Sequence, residues 1–299
     1  MGEARADEGR WGLLVLDKPL ELSSHAAARR AARALGADRF GHAGTLDPLA
    51  SGVLLVGLGR ATRLLEYLVC HEKGYRARLR LGQVRDTHDR EGTLLEERLV
   101  PELSGEDVER ALARFRGRIL QVPPEHSAVK VGGVPAYRRA RRGLPVALPE
   151  RAVEIFRLEL LEWAPPDLTI DVTCSKGTYI RSLARDVGEA LGTGACLWDL
   201  VRTRSGPYGL ADAVSLGCLE AEGLSAWARV LPPRKMVEGL RSFTVSPPDA
   251  RALASGRRIE GAGKEEGDLA VFDQTGDLLA VARAEGGDLR PLKVFRPAA

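Results

Sequence analysis

The chain has 299 residues, 44% of them hydrophobic and 28% charged, with a formal net charge of +3 at pH 7. That length and balance suit a globular protein of one large or two medium domains. No apolar run reaches the about 18 residues that a helical membrane span needs, and Cys70, Cys174, Cys196 and Cys218 form no C-x-x-C pair, which argues against a cysteine zinc site.

The opening "MGEARADEGRW" is charged, unlike a signal peptide, so a cytoplasmic protein with reduced thiols is expected. "WGLLVLDKP" (11–19) predicts a buried strand ended by Pro19. "SSHAAARRAARALG" (23–36) predicts a helix with a serine cap and Gly36 just past its end. A glycine-rich loop, "GHAGTLDPLASG" (41–52), precedes a strand over 53–58 and a helix over 60–69. "KGYRARLRLG" (73–82) alternates, with Tyr75, Ala77, Leu79 and Leu81 on one face and Arg76, Arg78 and Arg80 on the other. "SGEDVERALARFRG" (104–117) predicts a capped helix that Gly117 ends.

Residues 122–150 are rich in proline and glycine and contain "AYRRARRG" (136–143), which predicts a long basic insert. Two paired strands are expected over 153–163 and 168–174, then a helix over 178–192 with Ile180, Leu183, Ala184, Val187 and Leu191 at helical spacing. "LPPRK" near 235 reads as a linker. Beyond it, "DLAVFD", "DLLAVARA" and "LKVF" predict a small β-rich module. From Met236 onward there are nine basic and ten acidic residues, so the chain's positive balance sits in its first 235 residues.

Three residues stand out. Asp47 precedes Pro48 inside the glycine-rich loop; Asp-Pro starts turns well, and such loops also hold functional side chains on rigid scaffolds. Arg181 lies where the glycine turn "SKG" leads into a helix, a common place for a site, although an arginine there is ordinarily solvated. Tyr75 is on the apolar face of its strand, where core packing is the ordinary reading. The loop has no G-x-x-x-x-G-K-[ST] phosphate signature, and no second carboxylate stands at a readable distance for a glycosidase pair. His25, His42, His71, His88 and His126 show no metal-ligand spacing.

Together the motifs are specific. "LDKP", "GHAGTLDPLASGVLLVGLGRATR", "KGYRA", "LGQVRDTHDREG", "FRGRILQVPPEHSAVKVGGVPAYRRARRG", "CSKGTYIRSLARDVGEALG" and "LVRTRSG" occur in an order and spacing that resemble the bacterial TruB-type tRNA pseudouridine synthases, over residues 11–215. "ARALASGRRI" and "LAVFDQTGDLLAVARA" resemble a divergent PUA module. Ala43 and Ser51 stand where threonine is common in the family, and neither displaces Asp47.

The resemblance implies an α+β pseudouridine-synthase fold: a mixed, mainly antiparallel central sheet flanked by helices, with a small C-terminal β-rich PUA-like module. It implies a catalytic domain over 1–235, holding the basic RNA-gripping insert at 122–150, and an RNA-binding module over 236–299. The expected reaction converts uridine 55 in the T-arm loop of tRNA to pseudouridine, with no cofactor and no metal. By resemblance Asp47 is the catalytic carboxylate, acting on the sugar carbon or on a sugar proton, and Arg181 pairs with it. Tyr75 stacks on the target base, Leu200 packs in the pocket and Lys18 lies near it. His42 fills the space a flipped base vacates, and Arg138, Arg139, Arg141 and Arg142 contact phosphate. The expected partner is the tRNA T-arm stem-loop, without guide RNA or membrane, and the expected state is a monomer. Two alternatives remain open: a tRNA-binding or folding protein without essential catalysis, and a guide-RNA-dependent, dyskerin-like synthase.

Overall fold

The computed structural model describes residues 9–69, 72–127, 129–131, 133–136, 139, 148–260 and 266–295. Its strands in chain order are β1 (Gly12–Lys18), β2 (Phe40–Ala43), β3 (Ala50–Leu58), β4 (Lys73–Leu81), β5 (Gln83–Arg85), β6 (Leu94–Glu97), β7 (Gly117–Gln121), β8 (Lys130–Val131) and β9 (Val134–Pro135). Then come β10 (Arg151–Ala164), β11 (Asp167–Cys174), β12 (Ala195–Ser205), β13 (Tyr208–Gly209), β14 (Val214–Ser215), β15 (Arg241–Thr244), β16 (Gly267–Phe272), β17 (Leu278–Glu285) and β18 (Asp288–Val294). The helices are α1 (Ser24–Ala34), α2 (Leu65–Val69), α3 (Gly105–Ala113), α4 (Ile180–Ala190), α5 (Leu216–Glu222) and α6 (Pro247–Ala254).

One ten-stranded sheet runs β14-β1-β3-β12-β4-β11-β10-β7, with β2 added to β3 and β13 to β12. Its pairings are antiparallel except β1 with β14 and β3 with β12, so the sheet is mixed and mainly antiparallel. A second sheet, β15-β16-β17-β18, forms the C-terminal β module.

The apolar runs of β1 and β3 are continuous because both faces are covered. Leu14, Leu16, Leu54 and Val56 pack on the alanines of α1, at Ala27, Ala28, Ala31 and Ala32. Leu13, Val15, Val53 and Leu55 face the other way, into a cluster with Met236, Ala270, Leu278, Val281 and Phe295 from the C-terminal part. Polar contacts reinforce that seam: Arg60 donates to the Phe295 carbonyl at 2.8 Å, Arg63 to the Val294 carbonyl at 2.7 Å, and Trp11 stacks on Phe295. The third cluster lies between α4 and strands β4, β11 and β12, and contains Tyr75, Leu183, Val187 and Leu200.

Local structure departs from expectation at three places. The stretch 41–52 is mostly strand: β2 and β3 leave only residues 44–49 as a loop, so Asp47 lies between two strands and not between a helix and a strand. Its glycines serve close packing, since a Cβ on Gly41 would come within 2.8 Å of Leu65 Cδ1 and one on Gly44 within 3.2 Å of Lys73 Cε. Residues 59–64 form a 3₁₀ turn before α2 rather than one continuous helix, and Thr62 Oγ1 donates back to the Gly59 carbonyl there. Helix α3 ends at Ala113, four residues before Gly117, because Arg114, Phe115 and Arg116 donate to carbonyls three residues back and tighten the last turn.

Candidate active site

The site forms where the edge of β3 changes partner. Residues 55–58 of β3 pair with β2, while residues 50–52 pair in parallel with Leu200, Val201 and Arg202 of β12. The loop 44–49 fills the gap between these partners and carries Asp47. Its backbone is tied on several sides. Buried Ser24, in the first turn of α1, accepts from the Leu46 N–H at 2.7 Å and donates to the Leu46 carbonyl at 2.9 Å. The Glu21 N–H donates to the Pro48 carbonyl at 2.9 Å, and Arg202 Nη2 donates to the Gly44 carbonyl at 3.0 Å. At Gly52, with φ +99°, a Cβ would meet the Arg202 carbonyl at 2.3 Å, so only glycine lets β3 and β12 approach here.

Arg181 reaches Asp47 from the first turn of α4. Its Nε lies 2.9 Å from Asp47 Oδ2 and its Nη2 3.4 Å from Oδ1, a side-on pairing of a planar fork with a carboxylate. The arginine side chain is 6% exposed and Asp47 36% exposed, so the pair is rooted in the core while the carboxylate keeps an open side. Arg181 also donates to the Thr87 carbonyl at 3.1 Å and the His126 carbonyl at 3.0 Å. The helix start that aims it is locked by Gln121, which accepts from the Tyr179 N–H and donates to the Tyr179 carbonyl, and by Ser182 Oγ donating to the Val122 carbonyl.

A third charge has no assignment from the sequence. Asp89, 5% exposed, lies 3.5 Å from Arg181 Nη1 and accepts from Thr87 Oγ1 at 2.6 Å and the Glu91 N–H at 3.1 Å. Burial raises its carboxyl above the ordinary range, opposed by the Thr87 hydroxyl and the Arg181 charge. "THDREG" has no periodicity that would mark Asp89 as buried; only the fold brings it under Arg181.

Tyr75 is buried on the inner face of β4, in the same cluster as Leu46 and Leu200. Burial raises its phenol above the ordinary value, and the neighbouring Arg202 guanidinium pulls the other way. Leu200 reaches that face because β12 bulges between Leu197 and Asp199, which resets the alternation so that Leu200 and Arg202 both point inward. Arg202 also has no assignment from the sequence, although its two-residue spacing from Leu200 on an apolar strand is the available signal.

Lys18 is fully buried at the end of β1, donating to the Pro19 and Leu22 carbonyls at 2.8 and 2.6 Å. Burial lowers its ammonium to about 8, with Asp47 opposing. Those bonds hold the turn behind the loop. His42, half-buried in β2, is held below its ordinary value by burial, which favours the neutral ring. Arg139 is half-exposed, whereas Arg138, Arg141 and Arg142 lie outside the described residues. Two of the three arginines on the basic face expected of β4 are paired, Arg80 with Asp167 and Arg78 with Asp199, the latter shared with Arg90. Among the described residues no group of three His, Cys, Asp or Glu side chains could hold a metal ion, and no helix is long and apolar enough to cross a membrane.

The comparisons with known proteins agree along nearly the whole length. The family model for the N-terminal domain of TruB family pseudouridylate synthases matches residues 32–180. The tRNA pseudouridylate synthase B C-terminal domain matches 181–232, and the C-terminal model of tRNA pseudouridine synthase II matches 241–296. The tRNA pseudouridine synthase B of Gloeobacter violaceus is 45% identical over 290 residues, covering 95% of this chain and 98% of that protein. The protein of the same name from Mycobacterium tuberculosis is 42% identical over 291 residues, covering 96% of each. Among solved structures, the archaeal box H/ACA Nop10–Cbf5 complex aligns with a TM-score of 0.73 at 27% identity, covering 96% of this chain and 86% of that one. The sheet, the loop at its change of partner and the matches in sequence lead to one assignment: the chain belongs to the TruB family of pseudouridylate synthases.

Proposed function

We propose that this protein isomerises uridine to pseudouridine at position 55 in the T-arm loop of tRNA. The observation that carries the reading is the convergence of Asp47, Arg181 and Tyr75, from a loop, a helix and a strand, at one half-open carboxylate. The reaction breaks the C1′–N1 bond, turns the uracil while it is held, and joins C5 to C1′. C5 loses a proton and N1 gains one, so atoms balance without a cofactor.

Asp47 supplies the carboxylate. Arg181 occupies one side of both oxygens and leaves the other toward the ribose, whether the carboxylate attacks C1′ or takes a sugar proton. Tyr75 offers a ring for the base to stack on and a hydroxyl for the C5 proton, and Leu200 walls the pocket. The target base must leave the RNA stack, at a cost of a few kcal/mol. His42, kept neutral, is suited to fill the vacated space. Phosphate contacts by Arg138, Arg139, Arg141 and Arg142 offset the cost. The segment 236–299 serves as a PUA-like RNA-binding module beside a catalytic domain over 1–235. The protein works in the cytoplasm, as a monomer.

A guide-RNA-dependent reading draws support from the likeness to H/ACA complexes, at 26–27% identity. The tRNA pseudouridine synthase B relatives are much nearer, at 42–45% identity over nearly the whole chain, and they favour direct action on tRNA. The test is to treat an unmodified T-arm hairpin with the protein alone and map pseudouridine. Conversion at position 55 is expected. Asp47→Asn should bind the hairpin and fail to turn it over; turnover by this variant near the parent's rate would sink the assignment of Asp47.

A further inference from the structure

Arg202 is among the largest fully buried side chains of the protein, yet the acids nearest the loop, Asp47 and Asp89, pair with Arg181 instead. A buried guanidinium is costly unless its N–H groups are used. Arg202 uses two of its nitrogens on the segment that carries Asp47. Nε donates to the Val53 carbonyl at 2.6 Å and Nη2 to the Gly44 carbonyl at 3.0 Å, so one planar group grips the chain both before and after the carboxylate. Nη1 has no hydrogen-bond partner among the described residues. It lies 3.5 Å from where a Cβ on Gly44 would stand, and Gly44 has φ +80°.

The same guanidinium also neighbours Tyr75. Arg202 and Tyr75 are direct partners in the β12–β4 register, with both side chains on the inner face, and the guanidinium acts on the phenol. Arg202 is thus both bonded to the Asp47 segment and the register partner of Tyr75 on the adjacent strand. Lysine keeps the charge but has no rigid planar fork to hold the Gly44 and Val53 carbonyls at a fixed spacing.

We infer that Arg202 is a positioning residue for the reaction: from behind the pocket it sets the separation between the Asp47 loop and the Tyr75 ring, across which the flipped uridine must fit. The inference rests on the function proposed above. Ser24 is a second anchor of the same loop, at Leu46, and allows a double-mutant cycle.

The experiment uses the full chain and an unmodified T-arm hairpin. It compares the parent, Arg202→Lys, Arg202→Met, Ser24→Ala and the Arg202→Lys/Ser24→Ala double variant. Hairpin affinity, single-turnover rate at saturating enzyme and melting temperature are measured for each. A misplacement near 1 Å costs about 100-fold in rate. Arg202→Lys should therefore stay folded, bind within about threefold of the parent, and turn over roughly 30- to 100-fold more slowly. Because both anchors act through one loop, the double variant should lose less than the product of the two single losses. Arg202→Lys turning over at the parent's rate would overturn the inference. So would a loss found in affinity alone, or a strictly multiplicative double variant. If Arg202→Met does not fold, Arg202→Lys carries the test; failure of both to fold would assign the residue to stability and count against the inference. A parent inactive on the hairpin refutes the proposed function and the inference with it, whereas an active parent with an unimpaired Arg202→Lys refutes the inference alone.

Discussion

Replacing Arg181 by methionine separates a site residue from a solvated one at a helix start. The change removes the charge and every donor while keeping an unbranched side chain of comparable length. Asp47, 36% exposed, would be partly rescued by water. Asp89, 5% exposed, would not, and the Thr87 and His126 carbonyls would each lose a donor. Breaking a buried ion pair costs about 3–5 kcal/mol. With only one of the two carboxylates deeply buried, the lower end applies, about 3 kcal/mol, or a fall in Tm of roughly 5 °C for a chain of this length.

The loss should depend on pH with a definite sign. Burial already raises the Asp89 carboxyl, and losing Arg181 raises it further. An acid whose folded value lies above its unfolded value, about 3.9, favours folding most below the unfolded value and loses that contribution as pH rises through the folded one. The gap in Tm between parent and Arg181→Met should therefore be wide at pH 8 and narrow toward pH 5. Arg181→Lys keeps the charge without the fork, so it should retain more stability and still turn over at least 100-fold more slowly, about 2.7 kcal/mol in the barrier. Melting curves and single-turnover rates across pH 5–8 check both. A Tm gap under about 2 °C at pH 8, with rates within threefold of the parent, would refute the reasoning.

Gly52→Ala should destabilise the protein by about 2 kcal/mol or more, because its Cβ would sit 2.3 Å from the Arg202 carbonyl at a φ of +99° that alanine resists; chemical denaturation measures it, and an unchanged midpoint would contradict the close approach of β3 and β12. Replacing Arg138, Arg139, Arg141 and Arg142 together by alanine should weaken tRNA binding and flatten the slope of log affinity against log salt by about 0.7–0.9 for each phosphate no longer neutralised. An unchanged slope would show that these arginines do not touch phosphate.

The elements with strong local signals are legible from composition and spacing alone. The serine caps at Ser23 and Ser104, the alternation that turns Tyr75 inward, the helical stripe from Ile180 to Val187 and the C-terminal β runs all appear where expected. Motif resemblance supplies Asp47, Tyr75, Arg181 and Leu200, and the structure brings these four together. What no local pattern carries is pairing at a distance. Strand β12 has no counterpart among the expected elements, since its bulge at Leu197–Asp199 breaks the two-residue alternation and Arg202 interrupts its apolar face. The parallel seam of β12 with β3 joins residues about 150 positions apart, and it decides where the loop of Asp47 sits. Asp89 and Arg202 are buried charges, and a charge is solvated by default in any sequence reading. Only the tertiary structure, by supplying Thr87 and Arg181 to the one and the Gly44 and Val53 carbonyls to the other, offsets the cost of their burial and sets them behind the pocket.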